Sequence, residues 1–108
     1  MQVKEGVKID KTSHNMMYAA LIIESICIDM GIGCVITSGD EGKAGDGVHK
    51  RTSRHYDGEA MDFRTRELNY VKSKDFESRV RVRLDKDFPF QYDVVLETDH
   101  LHVEHDPE

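Results

Sequence analysis

Two runs of β-forming residues, Tyr92 to Glu97 and His100 to His105, are separated only by Thr98 and Asp99. So short a connection predicts that the second strand folds back along the first, as an antiparallel hairpin with a two-residue turn. Thr-Asp lacks the glycine such a turn prefers, so the turn alone does not enforce the register.

Upstream, apolar residues from Met16 to Met30 cover most of a helical circumference, which predicts a helix over about residues 13 to 30, packed on more than one side. Thr12 or Ser13 offers the N-cap, and Gly31 with Gly33 the stop. Cys34 to Thr37 then reads as a short buried strand. Residues 38 to 58 hold five glycines among polar and charged residues and read as a long irregular loop, a length that usually marks function or mobility. Ala60 to Arg64 reads as a strand. In the helix that follows, Phe76, Val80 and Leu84 fall on one face, Ser73 is the candidate cap, and Phe88-Pro89 lies beyond the end. The order is helix, strand, long loop, strand, helix, hairpin, an α+β domain with a small, mainly antiparallel sheet and two principal helices.

A chain of 108 residues is too short to divide, so a single domain acting as a monomer is expected. With 38% hydrophobic and 33% charged residues its composition is that of a soluble globular protein. The net charge of -6 excludes a broad nucleic-acid footprint, leaving Lys50, Arg51 and Arg54 as a small local basic cluster. Met16 to Ile28 is interrupted by Glu24 and Ser25 and is too short for membrane insertion, and Met1 to Glu5 shows no secretory signal. A protein made in the cytoplasm keeps Cys27 and Cys34 reduced, and both read as small buried hydrophobes.

The candidate chemistry lies in two histidine clusters. In the first, His55 and Asp62 are seven apart and would face opposite ways on a straight strand. Gly58 sits where the chain must bend, and glycine tolerates the positive φ of a tight turn. In the second, His100 and His102 share a strand face, and a Thr98-Asp99 turn sets Glu97 across from His100. His55, Asp62 and His102 make a three-ligand set suited to tetrahedral Zn2+ with one open position. Glu97 is the candidate general base and acid, and His100 the candidate oxyanion or water partner. A His-x-His pair alone is often surface decoration; the glycine at the bend and the carboxylate at the turn are what strengthen the reading. His14 falls at a helix start, His105 points away from His100 and His102, and His49 lies in the loop.

The run Ser53-x-His55-x-x-Gly58-x-Ala60-x-Asp62, followed by Glu97 and His100-x-His102, resembles the zinc D-alanyl-D-alanine carboxypeptidase superfamily. That group, of hedgehog/DD-peptidase-like fold, also contains phage L-alanyl-D-glutamate endopeptidases and hedgehog signalling domains. The likeness extends over nearly all the chain and looks nearest to small phage-type members. It implies His102 as third ligand and Glu97 as base, although some relatives carry only Glu-x-x-His, which would make His100 the ligand. Many members have Gly-Tyr-Arg after the Thr-Ser strand; here Gly39-Asp40-Glu41 stands there. Arg51 or Arg54, with Ser53, are the remaining candidates for substrate contact. The resemblance implies a peptidoglycan stem peptide as substrate and a phage-encoded enzyme delivered to the wall by another agent. Competing expectations are a zinc-keeping binding module and a cytosolic D-alanyl-D-alanine dipeptidase.

Overall fold

A computed structural model describes residues 1–40 and 58–107. In chain order the elements are β1 (Gln2–Val3), α1 (His14–Met30), β2 (Val35–Ser38), β3 (Ala60–Arg64), α2 (Tyr70–Asp87), β4 (Tyr92–Leu96) and β5 (His100–His105). Among the described residues the fold is α+β, with two helices and a five-stranded sheet in the order β1-β2-β3-β5-β4. Only the β1–β2 pairing is parallel.

The Ser13 side chain caps α1 by accepting from the Met16 N–H at 3.1 Å, and Gly31 ends the helix in the left-handed region at φ 67°. Only one stripe of α1 is buried, formed by Met16, Ala19, Ala20, Ile23, Ile26 and Cys27. Tyr18, Leu21 and Ile28 remain exposed, so the expectation of burial on more than one side is corrected. The reason is architectural: both helices lie on one face of the sheet, and among the described residues α1 packs through its inner side. The second helix starts one turn earlier than Ser73 suggests. Asn69 is its cap, accepting from the Lys72 N–H at 2.8 Å, while Ser73 lies within the helix and donates its backbone N–H to Asn69. The four-residue spacing of Phe76, Val80 and Leu84 holds, and all three are buried.

Alternation divides the sheet. Ile36, Met61, Phe63, Leu101, Val103 and Val94 join the helices in the core. Asp62 and Arg64 on β3, and His100, His102 and Glu104 on β5, occupy the intervening half-buried positions. These two strands therefore contribute a polar second face while the first holds the domain together. Among the described residues, no helix is long and apolar enough to cross a membrane.

β1 has no counterpart in the sequence reading. Two residues are too few for a periodic signal, and the strand exists because Gln2 and Lys4 donate backbone N–H groups to Cys34 and Ile36.

Candidate functional site

The site arises from the register of β3 against β5. Asp62 pairs with His102 and Arg64 with His100, and residues directly opposite in an antiparallel pair share a face. His102 Nδ1 lies 2.8 Å from Asp62 Oδ1, and its Nε2 lies 2.9 Å from Glu104 Oε1. His100 Nε2 is 3.8 Å from the same Asp62 oxygen, while its Nδ1 is 2.7 Å from Asp99 Oδ1. One carboxylate is thus approached by two imidazoles, each oriented from behind by another carboxylate.

This arrangement sets the local electrostatics. The Asp62 hydrogen bond pushes His102 up to about 9; partial burial opposes it, and Glu104 reinforces it. Near neutrality a proton on His102 therefore holds the three groups together. The hydrogen bond from His100 draws Asp99 below the usual carboxylate range. Glu104 was absent from the sequence-level candidates. Its signal was present nonetheless, since a residue two beyond His102 on a strand must return to the same face.

The hairpin forms as the spacing predicts. Glu97 donates its backbone N–H to the His100 carbonyl at 2.8 Å, leaving Thr98 and Asp99 as the turn. The Asp99 carbonyl accepts from the Thr65 N–H at 3.0 Å, which secures the turn to the end of β3. Glu97 is exposed and borders a cavity of about 460 Å³ with Thr65, Arg66 and Tyr70 among its walls. Among the described residues, no hydrogen bond or ion pair joins its carboxylate to Asp62, His100 or His102.

Gly58 adopts φ 71°, the bend expected before Asp62. A Cβ there would meet the Lys11 carbonyl oxygen at 2.0 Å, and the Gly58 carbonyl accepts from the Ser13 N–H at 3.0 Å. The bend is therefore also the seam between β3 and the start of α1. The other sequence-level candidates in this run, Arg51, Ser53, Arg54 and His55, lie outside the described residues, as does His49.

Two further polar residues, His105 and Asp40, have structural roles. His105 faces away from His100 and His102, with Nδ1 2.8 Å from Glu59 and its ring 5.2 Å from that of Tyr92. Asp40 is buried, and its carboxylate accepts the Lys11 backbone N–H. Its own N–H donates to the Lys8 carbonyl at 2.7 Å, so the segment after β2 pins the chain leading into α1.

Whether a metal fits can be judged from the donors present. Zinc bonds of about 2.0–2.2 Å put neighbouring tetrahedral ligands roughly 3.3–3.6 Å apart. The Asp62–His102 and Asp62–His100 separations of 2.8 and 3.8 Å bracket that range, and a carboxylate with imidazoles is a donor set zinc accepts.

No known protein family, curated protein or solved structure matches the chain.

A second set of possible donors lies farther along the same face. Ligand atoms of Asp93, Glu104 and Asp106 lie within 4.8 Å of one another, an acidic cluster that could hold a metal. Its all-oxygen chemistry suits hard cations better than zinc.

Proposed function

We propose that this domain is a zinc peptidase of hedgehog/DD-peptidase-like fold that hydrolyses the peptide stems of bacterial cell wall. The observation that carries the reading is Asp62 paired directly with His102 across β3 and β5, with His100 beside the same carboxylate. His102 and Asp62, together with His55, would hold the ion. When bound, zinc supplies a Lewis acid and a means of ionising water at neutral pH.

The chain's own groups account for the remaining chemistry. His102 must give up its proton before it can ligate, so metal uptake competes with protonation at this residue. Glu97, next to His100 across the hairpin, accepts a proton from the attacking water. It delivers that proton to the amine as the peptide C–N bond breaks and the new C–O bond forms. His100, its ring oriented by Asp99, steadies the oxyanion.

One observation favours a different ligand assignment. If His100 Nδ1–H donates its hydrogen bond to the Asp99 carboxylate, the Nε2 lone pair is left facing Asp62, the carboxylate–histidine arrangement common behind metal ligands. His100 would then take the place of His102.

Elemental mass spectrometry of the purified chain, with His102→Ala, His100→Ala and Glu97→Gln variants, separates these assignments. About one zinc per chain is expected, lost in His102→Ala and retained in His100→Ala and Glu97→Gln. Digestion of purified wall should release new peptide ends with the parent and none with Glu97→Gln. Loss of zinc with His100→Ala instead would move the third ligand to that residue. No zinc in the parent after resupply, with no new peptide ends, would refute the proposal. Free D-alanyl-D-alanine, offered in parallel, reports whether a dipeptide suffices.

A further inference from the structure

Arg64 follows Asp62 by two residues on β3 and faces the same way, about 6.5–7 Å farther along the strand. Its Nε is buried and, among the described residues, has no hydrogen-bond partner. Among the described residues, the one ion pair formed by its guanidinium is a 3.9 Å contact from Nη1 to the largely exposed Glu67. Buried donors are seldom left unpaired, and a charged donor left without an acceptor is costlier than a neutral one.

Beside it is a polar cavity of about 80 Å³ lined by Lys4, Thr37, Arg64, Arg66 and Asp99. That is the space of roughly two or three waters, or of one carboxylate group. Three of the lining residues are cationic, and the single acid, Asp99, is engaged by His100. In a chain of net charge -6, this is a local positive pocket one strand step from Asp62 and His102.

We propose that Arg64, assisted by Lys4 and Arg66, binds a free α-carboxylate on the leaving-group side of the scissile peptide bond. This rests on the peptidase reading above and specifies the substrate class. Both candidate wall bonds meet the requirement: the leaving residue is either a C-terminal D-alanine or a γ-linked D-glutamate, and each carries an unblocked α-carboxylate. From the scissile carbonyl carbon to that carboxylate is three bonds, roughly 3–4 Å, so the arginine side chain can span the rest of the strand step. A guanidinium meets a carboxylate through parallel N–H donors, and Nε is one edge of that fork.

The test reads binding directly. In the full-length Glu97→Gln chain, used to prevent turnover, the arginine Nε–H signals are followed by ¹⁵N NMR, with Arg64 assigned by its loss in Arg64→Lys. The probes are acetyl-D-alanyl-D-alanine and L-alanyl-D-glutamine, each against the analogue whose α-carboxylate is an amide. The acids should shift the Arg64 signal saturably and bind about 10- to 100-fold more tightly than the amides. Arg66→Gln, at an exposed position, should weaken the acids while leaving the amides unchanged, and Arg64→Gln should abolish the discrimination.

Equal binding of acids and amides, or an Arg64 signal that does not move, overturns the pocket. Wall digestion by the parent enzyme is scored separately. Acid-selective binding without hydrolysis would sink the peptidase reading and leave the pocket standing; hydrolysis without acid preference would do the reverse.

Discussion

Replacing Gly58 with alanine tests the seam that positions Asp62, and two other glycines allow its components to be separated. Gly33 has no atom within 4 Å of an added Cβ and an ordinary φ, so Gly33→Ala should be neutral or stabilising by up to about 1 kcal/mol. Gly6 also faces open space but has φ 85°, so Gly6→Ala should carry only the left-handed penalty, about 1–2 kcal/mol. Gly58 combines φ 71° with a Cβ 2.0 Å from the Lys11 oxygen and 2.7 Å from the Lys11 carbon. Both neighbours are backbone, so relief requires moving the segment that enters α1 and losing the Ser13 N–H bond to Gly58 at 3.0 Å. That bond is worth about 1 kcal/mol, and backbone displacement brings the total to about 3–4 kcal/mol. For a domain of this size the thermal midpoint should fall by about 12 °C or more. Urea titrations of the three variants give the free energies. If Gly58→Ala lost no more stability than Gly6→Ala, the close approach to Lys11 would carry no energy and the seam argument would fail.

Asp40→Ala should destabilise the fold by about 1–3 kcal/mol because it removes the buried carboxylate that accepts the part-buried Lys11 N–H, whereas Asp29→Ala on the exposed side of α1 should stay within about 0.5 kcal/mol; equal effects in urea would refute the structural role of Asp40. Tyr92 is pushed up to about 12, first by burial and then by Glu59, and its hydroxyl donates to the Asn15 carbonyl at 2.5 Å. A raised folded value means the neutral phenol is preferred in the fold, so its stabilisation is complete below about pH 10 and is lost as pH rises through about 12. Solvent screening of the half-buried ring limits this to on the order of 1 kcal/mol. The stability gap between the parent and Tyr92→Phe should close over that interval, and a gap constant from pH 8 to 12 would contradict the assignment.

The two helices and the four strands β2 to β5, the last two as a hairpin, were legible because each follows from periodicity or spacing within a few residues. Strand alternation alone requires His100 and His102 to share a face and His105 to oppose them; the two-residue turn alone sets Glu97 across from His100. Gly58 marked a bend because few other residues accept a positive φ. The sequence grouped Asp62 with His102, but strand patterning did not fix the register that sets His102 rather than His100 opposite it. Sliding β5 by two residues would set His100 opposite Asp62 and still keep every apolar side chain on its proper face, so the hydrophobic pattern permits both pairings. The choice comes from how Met61 and Phe63 seat against Val103 and Leu101 beneath the helices, contacts between residues about forty positions apart. Separation in sequence likewise hid the roles of Asp40, 29 positions from Lys11, and of Arg64, 60 positions from Lys4. One is buried against the entry to α1 and the other borders a pocket completed by Lys4 and Arg66, and what a charged side chain does depends on which backbone and which neighbours the fold brings to it.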